Sequence, residues 1–184
     1  MIIPLRVFDD SGQTDVFSVT KALYYGVSHG ARVINMSFGM SQSYASIQSA
    51  LTKAANAGVV VVASAGNDNT ATPQFPASGN GVIAVASVTS ADAKGSFSNY
   101  GTTVYVDAPG VNIISAYPNS RYAMVSGSSF SAPMVAAEAA LIMEVKTTSP
   151  KIVIGAAVVS VNSENPSYTG QLGHGRIDVL SAVK

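Results

Sequence analysis

The chain opens on a continuous apolar run, Ile2 to Phe8, closed by the polar stretch DDSGQTD, a pattern that predicts a strand followed by a turn. Asp15 then stands where a helix N-cap belongs. Val16, Val19, Ala22, Leu23 and Val27 form the stripe to be buried, and Gly30 stops the segment. The order repeats with a strand over Ala31 to Asn35, the loop MSFGMSQS, and a helix from Tyr44 to Ala57 closed by Gly58. A strand over Val59 to Ala63, the loop SAGNDNTATPQFPASGN and a strand over Val82 to Val88 follow. Buried apolar strands alternating with helices predict an α/β fold, a mostly parallel sheet covered on both faces. The Gly/Ser/Asn-rich loops follow the strands, so functional candidates collect at the carboxyl edge of the sheet, where ligands of open α/β sheets bind.

Beyond Val88 the pattern changes to short strands over Val104 to Asp107 and Asn112 to Ala116, with a return arm, Tyr122 to Val125, pairing back as a hairpin across PNS. A long apolar helix runs from Ser129 to Lys146. In Lys151 to Val161 the β-branched content favours a strand, whereas the Ser-Pro start and the length suit a helix; it is assigned as helix. The tail GHGRIDVLSAVK reads as a short extended piece and a last turn of helix.

A chain of 184 residues with 47% hydrophobic and 11% charged residues can bury one real core, and residues 1–184 are read as one domain. Ten basic residues balance ten acidic ones without a charged block, which argues against nucleic acid or an anionic membrane as partner. No run approaches the roughly 20 apolar residues needed to cross a bilayer, and the opening residues lack the basic region of a signal peptide. There is no cysteine, so chemistry must rest on Ser, Asn, Asp, Glu or the two histidines.

The most informative stretch is VSGSSFSAPMVAAEAALIM, Val125 to Met143, in which a glycine and small hydroxyl residues lead into a helix with Pro133 in its first turn. A serine there has its hydroxyl and its own N–H at the positive end of a helix dipole, which favours a developing negative charge. Ser126, Ser128 and Ser129 all qualify by position, and a serine at a helix start is more often a cap than a nucleophile.

This segment resembles the serine motif of the subtilisin family, Gly-Thr-Ser-Met/Phe-Ala-x-Pro-His-Val-Ala, and the alignment places the family's nucleophile on Ser129. Other blocks agree in family order. VINMSFG, Val33 to Gly39, resembles the strand and loop that line the substrate backbone and side-chain pocket. VVVASAGNDN resembles the oxyanion block and carries its asparagine onto Asn67. FPA, Phe75 to Ala77, and DAPG, Asp107 to Gly110, resemble the turns of the family at those places. The resemblance implies a three-layer subtilisin-like fold, with Ser129 and Asn67 catalytic and substrate held by Ser37, Phe38, Gly39, Ala65, Gly66 and Gln74. It departs from the motif at Ser131, Met134, Ala137 and Glu138; the last puts a charge on an apolar helix and is expected at a rim or a partner. Calcium enters only through the resemblance, because the loops show no carboxylate cluster with metal spacing, and no metal or cofactor is assigned.

A serine nucleophile needs a general base and a carboxylate to orient it. The family supplies these from Asp and His blocks that precede its equivalent of Ile2 to Phe8, and neither block occurs in residues 1–184. His29 ends a helix that returns to the amino edge of the sheet, and His174, in the turn GHG, reads as surface; Asp9 and Asp10 read as loop acids. The resemblance further implies that a strand of the family's sheet, between Ile2 to Phe8 and the next strand, is absent here. An unpaired apolar edge is a liability, and self-association, element swapping or a complementing N-terminal segment is expected.

The leading reading is therefore a subtilisin-type serine endopeptidase domain acting on polypeptides, inactive alone; the alternative is a protease-like pseudoenzyme or peptide-binding module. By resemblance such proteins are secreted. An α/β-hydrolase would need glycine where Ser131 stands, and no G-x-G-x-x-G follows a strand, which removes a dinucleotide-binding domain.

Overall fold

The computed structural model covers residues 1–184. Helix α1, Val16–Ser28, is capped by Asp15, whose carboxylate accepts from the Ser18 N–H at 2.7 Å, and it buries Val19, Leu23 and Gly26. Strand β1, Val33–Met36, leads through the MSFGM loop to α2, Ala45–Asn56. Strands β2, Val60–Ser64, and β3, Ile83–Val88, follow, then β4, Val106–Pro109, and the hairpin of β5, Ile113–Tyr117, and β6, Arg121–Val125. The long helix α3, Ser128–Val145, precedes α4, Pro150–Ala156, β7, Val158–Val159, β8, Arg176–Ile177, and α5, Val179–Val183.

Six strands form one sheet in the order β1-β2-β3-β4-β8-β7, parallel except for the β7–β8 pair, and β5–β6 forms a separate antiparallel ribbon. Because β3 is buried at every position, its unbroken apolar run is what a doubly covered central strand requires. On one face α1 and α2 pack with Val19, Leu23, Ile47 and Leu51 against Val61 and Ala63. On the other, α3 lays Ala132, Val135, Ala139 and Ile142 on Val62, Ile83, Val85 and Val106. The expected α/β fold with a mostly parallel sheet between helices is thus the observed one.

Three sequence expectations change. Residues 2–8 are not a strand: they run along the molecule without pairing, held by Leu5 and Val7 against α1 and by Phe8 edge-on to Phe38 at 5.5 Å. Extended chain becomes a strand only beside a neighbour, and β1, the terminal strand of the sheet, is separated from this segment by a groove of about 590 Å³ lined by Ile2, Leu5, Val33, Ile34, Ala140 and Met143. Lys151 to Val161 divides, its first part forming α4 and Val158–Val159 forming β7, so each competing tendency prevails over part of the segment.

Glu138 does not reach a rim or an open surface. It is 1% exposed on the packed face of α3, with both carboxylate oxygens unbonded. Asp107, on β4 between Ala86 and Arg176 in register, is fully buried and also unbonded, since the Arg176 guanidinium turns to Asp92 instead. Burial, with the Asp92 charge adding to it, raises the Asp107 carboxyl to about 8; burial, with Asp178 adding, raises Glu138 to about 7. Carboxyls raised in the folded state stabilise it fully below their unfolded values near 4, and this contribution is lost as pH rises through 7 and 8. Unfolding by urea should therefore show a stability decline of roughly 4 kcal/mol between pH 5 and 9 from Asp107, with a smaller part added by Glu138, and Asp107→Ala and Glu138→Gln should each flatten it. A pH-independent wild-type stability over that range would contradict this.

Candidate active site

Three loops meet above the carboxyl ends of β1 and β2 and the start of α3. Gly127 precedes α3 with φ of 156°, in the left-handed range a side chain resists, and this turn delivers Ser128 and Ser129 into the first helical turn. The first N–H groups of an α-helix lack intrahelical acceptors, so Ser129 presents an N–H as well as a hydroxyl. Its hydroxyl donates to the Ser37 carbonyl at 3.1 Å, while the Ser37 hydroxyl donates to the Ser129 carbonyl at 2.8 Å and accepts from Asn35 Nδ2 at 3.0 Å. The loop after β1 is thereby fastened to the start of α3.

Asn67 follows β2 through Ala65 and Gly66. Its Oδ1 accepts from the Ser128 N–H and from the Ser128 hydroxyl, both at 2.9 Å. A backbone N–H can only donate, so this oxygen is assigned by its partner, and Nδ2 must face the other way. It lies over Gly127. The buried Ser128 hydroxyl also accepts from the Gly66 N–H at 3.2 Å. Ser128, read from sequence as a cap, instead orients Asn67; Ser126, also a cap candidate, accepts from the Asn112 N–H and ties the hairpin.

Ala65 and Gly66 are buried, and Gln74 is half-buried between the two loops. The Gln74 N–H donates to the Ala65 carbonyl at 2.9 Å, and Phe75 exchanges backbone bonds with Met40 at 2.7 and 3.1 Å. Residues 74 and 75 thus bridge the loops after β1 and β2, forming the floor of the crevice walled by Ser37, Phe38 and Gly39 on one side and Ala65 and Gly66 on the other.

Asn99 and Lys94 were not singled out by sequence. Asn99 is fully buried; its Oδ1 accepts from the Asp68 N–H at 2.8 Å and the Thr70 N–H at 3.2 Å, and its Nδ2 donates to the Ala65 carbonyl at 3.1 Å. A Cβ at Gly66 would collide with it, so the glycine is required by this close approach. The Lys94 ammonium donates to Asn69 Oδ1, the Gly95 carbonyl and the Ser98 carbonyl at 2.8–3.0 Å and lies over the Tyr100 and Tyr168 rings. The segment KGSFSN therefore grips both flanks of Asn67.

No titratable side chain is hydrogen-bonded to Ser129. His29 closes α1 at the opposite edge, stacked on Tyr25 with Nδ1 at 2.9 Å from its carbonyl, and His174 is exposed beside Tyr105. Asp9 is occupied by the Ser11 and Gln13 N–H groups, which hold its carboxyl below the usual range; Asp10 pairs with Arg6 at 2.6 Å on the surface. No group of three or more His, Asp or Glu side chains converges in the structure. No helix is long and apolar enough to cross a membrane.

A backbone of this shape, with a serine at the start of a buried helix beside an asparagine after a central strand, defines a class that direct comparison names. The family model of the subtilases matches residues 1–175, and the chain belongs to that family. It is 38% identical to thermitase of Thermoactinomyces vulgaris over 184 residues, all of this chain and 65% of thermitase. It is likewise 38% identical to a thermophilic serine proteinase of Bacillus sp. (strain AK1), over 99% of this chain and 45% of that protein. The chain thus spans less than two thirds of either relative. Among solved structures, the prenylagaramide maturation protease PagA superposes with a TM-score of 0.86 at 26% identity, over 96% of this chain and 70% of that one. A protease of Pseudoalteromonas arctica gives a TM-score of 0.85 at 29% identity, over 97% of this chain and 60% of that one.

Removing the Asn99 carboxamide would strand the Asp68 and Thr70 N–H groups. Asn99→Ala should lower stability by roughly 1–3 kcal/mol and accelerate hydrogen exchange at those two amides by tenfold or more. Unchanged exchange at Asp68 and Thr70 would remove Asn99 as the holder of this loop.

Proposed function

We propose that this chain is the serine and oxyanion portion of a subtilisin-type serine endopeptidase, with Ser129 as nucleophile and Asn67 Nδ2 and the Ser129 N–H as oxyanion donors. The observation that carries this is the pair of bonds from Ser128 to Asn67 Oδ1, which turns the amide donor out toward the helix start. An extended polypeptide would lie along Ser37, Phe38 and Gly39, with the carbonyl to be attacked over Ser129. In the reaction an Oγ–C bond forms, the C–N bond breaks, and the hydroxyl proton travels by way of a base to the leaving amine; water then hydrolyses the acyl-enzyme.

The Ser129 hydroxyl donates to the Ser37 carbonyl and is bonded to no basic side chain. The chain alone is therefore inactive, and the same observation favours, as a second reading, a peptide-binding module without turnover. For the endopeptidase reading the Asp and His come from a complementing segment, and the groove between residues 1–5 and the open edge of β1 is lined mainly by apolar residues and reaches Asn35. Left uncovered, that edge promotes self-association.

A fluorophosphonate probe should label the isolated chain slowly, at Ser129, and not at all in Ser129→Ala. An Asp/His-bearing segment of a related subtilase added in trans should raise the rate by about 10²-fold or more, the contribution of a positioned base. Fast stoichiometric labelling of the isolated chain would show a base already present; peptide binding that survives Ser129→Ala, with no turnover upon complementation, would establish the binding module. In size-exclusion chromatography at low micromolar concentration the chain should elute as a concentration-dependent oligomer, and a sharp monomer peak would contradict the open-edge account.

A further inference from the structure

The turn that feeds the central strand β3 carries an asparagine–glycine pair, Asn80–Gly81, that the site does not use. Across it the Val82 N–H donates to the Gly79 carbonyl at 3.3 Å, and Gly81 takes a φ of 84°, in the left-handed range that glycine adopts without strain. Both residues are exposed. Neither the Asn80 carboxamide nor the Gly81 N–H is hydrogen-bonded within the protein, so each is open to water.

These are the conditions for a reaction of the chain with itself. The Gly81 nitrogen, after giving its proton to hydroxide, attacks the Asn80 Cγ. A new C–N bond closes a cyclic imide, the Cγ–Nδ2 bond breaks, and ammonia leaves with a proton taken from water, which returns the hydroxide. Water then opens the ring at either carbonyl, leaving aspartate at one and a β-linked isoaspartate at the other. Other asparagines lack one of the requirements. Asn67 and Asn69 precede Asp68 and Thr70, whose N–H groups are held by Asn99 Oδ1; the Tyr100 N–H after Asn99 is held by the Thr70 carbonyl, and the Ala57 N–H after Asn56 by the Lys53 carbonyl. Asn119 and Asn162 precede serine, whose side chain crowds the attacking nitrogen.

The restraint on the pair is Gln48 of α2. Its Oε1 accepts from the Asn80 N–H at 3.1 Å and its Nε2 donates to the Asn80 carbonyl at 3.5 Å. Ring closure requires rotation about the Asn80 Cα–C bond, which a residue held at both its N–H and its carbonyl resists. The second bond is long and therefore weak, so the clamp slows the rotation without forbidding it. We propose that Asn80 is a site of spontaneous deamidation, passing through an imide with Gly81 to aspartate and isoaspartate, at a rate set by the Gln48 clamp. Isoaspartate adds a methylene to the main chain and a carboxylate to the turn, which breaks the Gly79–Val82 bond and slackens the link between α2 and β3. Neither Ser129 nor Asn67 takes part, so this inference stands or falls apart from the endopeptidase reading.

The folded chain is held in mildly alkaline buffer beside a sample unfolded in urea, and both are followed by peptide mapping with mass spectrometry and by isoaspartyl-specific carboxyl methylation. The folded wild type should exchange ammonia for water first in the peptide containing residues 80 and 81, faster as pH rises, with isoaspartate among the products and faster hydrogen exchange at the Val82 amide. Gln48→Ala should convert up to about tenfold faster, the worth of one ordinary hydrogen bond, and Asn80→Ser should abolish the reaction. An Asn80 that stays intact in the folded chain while the unfolded sample converts would overturn the proposal. A Gln48→Ala rate equal to that of the wild type, in a variant with native amide dispersion, would overturn the part assigned to the clamp.

Discussion

The site depends on one interaction: the Asn67 carboxamide oxygen accepting both the N–H and the hydroxyl of Ser128. A free asparagine at the end of a strand can turn its oxygen or its nitrogen toward a ligand with almost equal ease. Here the choice is made by a backbone donor that cannot reverse, so the amide nitrogen is left beside Gly127 with its donors unclaimed by Ser128. Preorganisation of this kind is what makes oxyanion donors effective, because nothing has to reorient as charge develops. The sheet contributes by setting β2 and α3 in contact, with Val62 against the Ala132–Val135 turn of the helix.

The rest of the architecture maintains that contact. Asn99 and Lys94 hold the loop on either side of Asn67, and the reciprocal bonds between Ser37 and Ser129 hold the first turn of α3 against the loop after β1. Each partner is a buried or half-buried polar group with its bonds satisfied, the condition under which polar networks make a site rigid. Two carboxylates break this rule. Asp107 and Glu138 have no partner, and their neutral forms are what the folded core accommodates. Neither touches the site, so they tune stability with pH and leave the geometry around Ser129 unaffected.

Much of this was legible in the sequence because it is local. Apolar runs of strand length, glycine stops and the Asp15 cap gave the alternation of helices and strands, and the serine block placed Ser129 on the first turn of α3. What was not legible is what depends on neighbours far along the chain. Residues 2–8 carry a strand's composition but lack a partner beside them. Ser128 looks like any small cap until Asn67, 61 residues earlier, is brought next to it. The polar run KGSFSN carries no periodicity to mark it, although two residues of it grip the Asn67 loop, and a lone glutamate on an apolar helix gives no sign of whether its face is open or covered.

The open flank of β1 lies close to the Ser129 loops. The groove beside β1 adjoins Asn35, whose amide reaches Ser37, the residue bonded to Ser129. An element filling the groove would therefore reach the Ser129 turn through two side chains, Asn35 and Ser37. The central claim is tested most directly by a crystal structure of the chain after prolonged exposure to a fluorophosphonate. The account predicts phosphorus on Ser129 Oγ, with the phosphoryl oxygen within hydrogen-bonding distance of both Asn67 Nδ2 and the Ser129 N–H. Phosphorus on Ser126 or Ser128, or a phosphoryl oxygen turned away from Asn67, would contradict it.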